Sequence, residues 1–287
     1  MVIGRGVAGE VPPIALDYWR WTGAFLIALA YAWPQLKRDL PAILRAWPIM
    51  LLLSAAGIAA FNTLSYIGLN STTALNVLLL QSVIPLLILV WAFALFRERP
   101  SWRQSLAILI SLCGVAAIAA RGSAEVLWHL RLNPGDVWIL AALAIYALYA
   151  VLLRLRPMVH PLSFLVAAMG IGSIMILPFY LWETAQGRTI TGGAGAYVAM
   201  AYTAVFPSLI AYLCFNRGVE LIGAARAGQS IHLMPLFGSG LAVLLLGERF
   251  HAYHAVGVAL IAAGILLATV RSIPRGCADR PSAVVGE

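Results

Sequence analysis

Charge is what this chain of 287 residues has least of. Only 10% of its residues are Asp, Glu, Lys or Arg against 62% hydrophobic, with a mean hydropathy of +0.91, which excludes a water-soluble surface over this length. Cysteine is scarce too. Cys113 and Cys214 sit inside apolar runs and Cys277 near the C-terminus, at no metal-ligand spacing, which excludes a disulfide framework and a cysteine-based metal site. No G-x-x-x-x-G-K-[ST], H-E-x-x-H or G-x-S-x-G sequence occurs, and acidic residues are nearly absent from the apolar runs. ATP-driven pumping and the common hydrolytic chemistries therefore lack their parts. We expect no enzyme, no catalytic residue, no cofactor and no metal.

What the chain does have is apolar sequence at membrane-crossing length. Runs of the roughly 17 to 25 residues that a bilayer requires read as Ile14–Trp33, Trp47–Leu69, Ala74–Phe96, Gln104–Ala120, Asp136–Leu153, Leu162–Trp182, Tyr197–Asn216, Gly223–Gly247 and His254–Val270. Pro85, Glu98, Arg99 and Gly114 recur 150 residues on as Pro235, Glu248, Arg249 and Gly264. Five runs separate the two copies, and an odd number turns the second copy over relative to the first. The expected fold is an all-α polytopic membrane protein of two inverted five-helix repeats. The repeats cover residues 1–132 and 133–270, with their seam at Asn133-Pro134-Gly135, and 271–287 reads as a disordered tail. Inverted repeats are an architecture of membrane transporters.

Aligning Pro13-Ile14-Ala15-Leu16 with Pro161-Leu162-Ser163-Phe164 places the partner of the Asp136–Leu153 run mostly upstream of Met1. Nine full spans are therefore expected here, with helix 1 truncated. Of the 19 Lys and Arg, thirteen fall on the side of the C-terminal tail, five on the other, and Arg20 lies within a span. The positive-inside rule makes the tail cytoplasmic. It also accounts for the net charge of +8 without a nucleic-acid partner. Eighteen Arg against one Lys point to a GC-rich bacterial genome, and with it to a bacterial inner membrane.

Pro13 followed by Arg20 at the head of a span, the Pro85 span ending in Arg97-Glu98-Arg99, the Gly247-Glu248-Arg249 copy, and Gly114 and Gly264 closing the helices that follow together resemble the EamA-type drug/metabolite transporter superfamily. Val2-Ile3-Gly4-Arg5-Gly6-Val7 resembles the end of that family's helix 1. The aromatic content is similar to that of the bacterial aromatic amino-acid exporters. The resemblance implies ten helices and a central cavity walled by helices 1, 3, 4, 6, 8 and 9.

Polar residues fall where such a cavity needs them. Asn62 and Tyr66 are four apart on one helix, Gln81, Ser82 and Pro85 share a broad face of the next, and Trp138, Ile145 and Tyr149 form a stripe flanked by Tyr146. Tyr202, Phe206 and Asn216 line up on one later helix, and Gly228, His232 and Pro235 on another. Polar groups at membrane depth face protein or water. The candidate substrate-binding set is accordingly Asn62, Tyr66, Gln81, Ser82, Trp138, Tyr146, Tyr149, Tyr202, Phe206, Asn216 and His232, with Pro85 and Pro235 as candidate hinges. The amides have a second reading as bonds between helices, and the prolines as static kinks. His232 reads either as a buried neutral imidazole or as a proton-coupling group. Trp47, Trp102, Trp182 and Tyr197 read as interface anchors, and His251 with His254 lacks the companions of a metal site.

Gly257 and Gly264, echoed by Ala107 and Gly114, form small-residue faces that serve close packing within the chain or a homodimer. The expected partners are a small amphipathic solute, such as a neutral or aromatic amino acid, and the lipid bilayer. A non-transporting scaffold or accessory subunit is the alternative, though a scaffold has no need of an aromatic and polar stripe on several facing helices.

Overall fold

The structure, a computed structural model, describes residues 10–69, 71, 72, 77, 80–120, 123, 125, 133–233, 237 and 252–269. Pro235, Glu248, Arg249, His251, the 2–7 stretch and the 271–287 tail lie outside the described residues. Among those described there are helices and no strands. In chain order they are α1 (Pro13–Arg45), α2 (Trp47–Leu69), α3 (Ile84–Phe96), α4 (Trp102–Ala119), α5 (Pro134–Leu152), α6 (Pro161–Ala185), α7 (Ala194–Ile222), α8 (Ala224–Gln229) and α9 (Ala252–Thr269). By length and composition α2, α5 with its terminal turn, α6 and α7 suffice to cross a bilayer, and α3, α4 and α9 contribute shorter apolar helices.

Local chemistry sets the helix ends. Pro13 opens α1 in its first turn, where a missing N–H costs nothing, and the Glu183 carboxylate on α6 accepts from the next two amides, Ile14 N (3.4 Å) and Ala15 N (2.8 Å). That contact explains why an acidic residue is almost fully buried on α6: it supplies the acceptors that a helix start leaves wanting. Reciprocal capping boxes open α4 (Ser101 with Gln104) and α5 (Asn133 with Asp136). Arg97, in the left-handed region at φ 58°, closes α3, and Gly223 at φ 84° breaks the chain between α7 and α8.

The repeat is visible in the helices. Trp102–Ala119 is helical, and so are the described residues at the offset of 150, 252–269. A π-helical stretch interrupts α2 at Ala55–Ala60 and α7 at Ala204–Ile210, where Pro207 removes a backbone donor. Contacts also obey the repeat. A Cβ on Gly114 would lie 2.8 Å from the Gly257 carbonyl, and one on Gly264 would lie 2.6 Å from the Ala107 carbonyl. Since 107 pairs with 257 and 114 with 264, this reciprocity is the signature of a two-fold relation, here inside one chain. The small-residue faces expected to pack closely do so against each other, in the antiparallel α4–α9 pair.

The core lies between α1, α2, α5, α6 and α7. Trp21, Met50, Leu53, Ile58, Ile139, Leu143, Tyr149, Phe164 and Leu165 are fully buried there. Trp47, Trp102, Trp182 and Tyr197 are exposed, in keeping with interface anchors.

Candidate functional site

A buried polar network surrounds Arg20, a charged side chain buried within α1. Its Nε donates to Ser208 Oγ (2.5 Å) on the π stretch of α7, and its Nη1 donates to Asn62 Oδ1 (3.0 Å) and Tyr66 Oη (2.8 Å) on α2. Asp17, one turn earlier on α1 and fully buried, accepts from Thr63 Oγ1 (2.9 Å). The π turns take part. Widened backbone leaves carbonyls open to side chains, so Tyr212 Oη donates to the Gly57 carbonyl (2.6 Å) and Ser208 Oγ to the Thr203 carbonyl (2.7 Å). Asn62 Nδ2 donates to the Ile58 carbonyl (3.1 Å) and approaches Tyr212 Oη, its own partner at the repeat offset, at 3.4 Å. One guanidinium thereby ties α1 to both repeats. An uncompensated charge at this depth would be costly, so these neutral acceptors and Asp17 are what allow it.

Beside the network lies an aromatic cluster. Tyr146 sits between Phe61 (centroids 4.6 Å apart) and Phe215 (5.4 Å), and Tyr149 lies 6.0 Å from Tyr146 and 6.1 Å from Tyr212. Tyr149 packs against Gly57, where a Cβ would come within 2.5 Å of its Cε2, and its hydroxyl donates to Asn216 Oδ1 (2.8 Å).

Asn216 is also the deep polar residue of a cavity of about 760 Å³ between α3, α5, α7 and α8. Ile88, Leu89, Ala92, Ala150, Val151 and Val219 give it apolar walls. Its mouth carries Glu98, Arg99, Arg154, Arg156, Glu220 and Arg226. Glu98 pairs with Arg154 (2.6 Å) across the repeats, and Glu220 with Arg156 (2.9 Å) and Arg217 (2.7 Å). The volume falls within the roughly 300 to 1,000 Å³ of small-molecule sites.

The structure puts Asn62 and Tyr66 in the Arg20 network, Tyr146 and Tyr149 in the aromatic cluster, and Asn216 in the cavity lining. Ser82 and His232, again 150 apart, meet at the pseudo-two-fold: His232 Nε2–H donates to the Ser82 carbonyl (2.8 Å) and the ring is fully buried. Gln81 is half-buried beside Ser82. Pro85 sits in the first turn of α3, after the turn at Ser82–Val83, and the equivalent stretch Ser230–His232 narrows to a 3₁₀ turn. Position 82 and its equivalent 232 thus both depart from regular α-helix. Trp138, Tyr202 and Phe206 are not brought in: they are 48%, 45% and 52% exposed, outside the cavity lining, and the last two stack on each other at 4.9 Å. Helical periodicity places residues on a common stripe without saying which stripe turns inward. Sequence reasoning left out Asp17, Arg20, Ser208 and Tyr212. The signal available was a charged pair three apart within a span.

A helical bundle related to itself by an internal two-fold, with a buried charge network and a cavity beside it, fits a membrane transporter. The EamA-like transporter family matches residues 1–120 and 133–270, and the chain belongs to that family. It is 28% identical over 236 residues to the uncharacterized transporter YyaM of Bacillus subtilis (strain 168), covering 82% of this chain and 77% of that one. Over 273 residues it is 28% identical to a protein of Streptantibioticus cattleyicolor named "Probable terminal-alkyne amino-acid exporter", covering 95% and 87%. A solved crystal structure shares the fold with a TM-score of 0.75 at 19% identity, over 93% of this chain and 91% of that one.

Proposed function

We propose that this transporter is a secondary carrier of small amphipathic metabolites in a bacterial inner membrane, with neutral and aromatic amino acids as the leading class and export as the direction. The observation that carries this reading is the cavity, with apolar walls and buried Asn216 beside the Tyr146–Tyr149–Tyr212 cluster. In an alternating-access cycle this is the state open at the Arg154 end. The loop charges make that end cytoplasmic. The Arg20 network and the aromatic cluster close the other path, and the turns at Ser82–Val83 and Ser230–His232 are where the two repeats flex. Substrate enters from the mouth, lays its apolar part against Ile88, Ala150 and Val151, and meets Asn216. Rearrangement of Tyr149 and Tyr212 then opens the far side.

Counterflow in proteoliposomes preloaded with a panel of unlabelled amino acids tests this: labelled aromatic substrate should accumulate transiently without ATP. A folded, monodisperse protein that exchanges none of the panel overturns the reading. Single cysteines at positions 101 and 251 should label from opposite sides, and labelling from one side overturns the inverted topology.

A further inference from the structure

We propose that the cavity selects amphipathic anions, namely apolar carboxylates without a free ammonium group, over zwitterions and over hydrophobic amines. This rests on the carrier reading above and, within its class of small amphipathic metabolites, ranks apolar carboxylates ahead of the amino acids. Four guanidiniums and two carboxylates line the cavity. Both carboxylates are neutralised within the protein through one oxygen each, Glu98 Oε1 by Arg154 and Glu220 Oε2 by Arg156 and Arg217, while among the described residues Arg99 and Arg226 form no ion pair. The amides of the lining repeat the pattern. Asn216 turns its Oδ1 to the Tyr149 hydroxyl and Gln104 its Oε1 to Ser101, so their NH₂ ends remain, and Asn216 Nδ2 is buried without a partner.

Four guanidiniums against two carboxylates leave the mouth with an excess of two positive charges, joined by two amide NH₂ groups. A carboxylate accepts from all of these donors. An ammonium meets only carboxylates whose charge an arginine already offsets, and the two guanidiniums in excess repel it. The positive-inside rule explains why arginines gather at this end, but it does not explain why each glutamate at the mouth is matched to an arginine while Arg99 and Arg226 are left over, nor the orientation of the two amides. The apolar walls call for an aromatic or branched aliphatic remainder on the solute.

The test uses three probes of one skeleton: phenyllactate, phenylalanine and phenethylamine. In counterflow, phenyllactate should compete at least about fivefold better than phenylalanine, the yield of one charge–charge contact even at the dielectric of water, and phenethylamine should not compete. Arg99→Gln with Arg226→Gln should erase the preference for phenyllactate while leaving the folded yield unchanged. Thermal-shift titration of the detergent-solubilised protein with the same probes reads binding without transport. If nothing is exchanged, the carrier reading fails, and the titration still decides the charge preference. Equal or stronger response to phenylalanine or phenethylamine, no response to any probe, or a preference that survives the double substitution overturns this proposal.

Discussion

Gly57→Ala should unseat Tyr149 and with it the deep end of the cavity. A Cβ at this position lies 2.5 Å from Tyr149 Cε2 and 2.9 Å from Cγ, whereas carbon atoms pack at about 3.5 to 4.0 Å. The ring must retreat by roughly 1 Å or more. It has nowhere to go: it is 1% exposed, flanked by Tyr146 and Tyr212, and held at its far end by Asn216 at 2.8 Å. Overpacking of this kind costs about 1 to 3 kcal/mol, and loss of the Tyr149–Asn216 bond adds about 0.6 kcal/mol by the average for hydrogen bonds between membrane helices. The assay is the monodisperse fraction surviving a heating series in detergent, read beside counterflow. Gly195→Ala, with nothing within 4 Å of its Cβ, is the control and should lose nothing. In a double-mutant cycle Tyr149→Ala should relieve Gly57→Ala, with a coupling of about 0.5 to 3 kcal/mol. A Gly57→Ala protein as stable and active as wild type, or single effects that simply add, would refute the packing argument.

Arg20→Leu should be far more damaging than Asp17→Asn. The first strands Asp17 and three acceptors at a cost of about 3 to 5 kcal/mol, whereas the second leaves Arg20 bonded to Ser208, Asn62 and Tyr66; equal folded yields would contradict this. His232→Gln, which keeps an N–H donor for the Ser82 carbonyl, should preserve transport and its pH profile between roughly 5.5 and 7.5, around the ordinary imidazole range. A pH dependence that vanishes with the substitution would instead make His232 the coupling group. Tyr202→Ala and Phe206→Ala, on an exposed face, should leave counterflow intact while Tyr149→Ala abolishes it; the reverse ranking would place the substrate on the other stripe.

Composition alone determined that this chain lives in a bilayer, because no arrangement of so few charges covers a protein with water-compatible surface. Its repeat was legible as well. An offset of 150 shared by four motif residues in the sequence reappears in the paired π stretches of α2 and α7, and in contacts between equivalent positions such as Ser82 and His232. Asn62, Tyr66, Tyr149 and Asn216 could be picked out because polar groups at membrane depth turn toward protein. Only the tertiary structure decided which stripes converge. Tyr202 and Phe206 follow the same periodicity as Asn216 and face outward, since helical spacing carries no information about the rotation of one helix against another. Nor could sequence show that Arg20 finds its acceptors 42, 46 and 188 residues away, or that the glutamates at the mouth pair off and leave Arg99 and Arg226 without an ion pair among the described residues. Those pairings are set by which helix ends the two-fold brings together, and distance along the chain does not encode them.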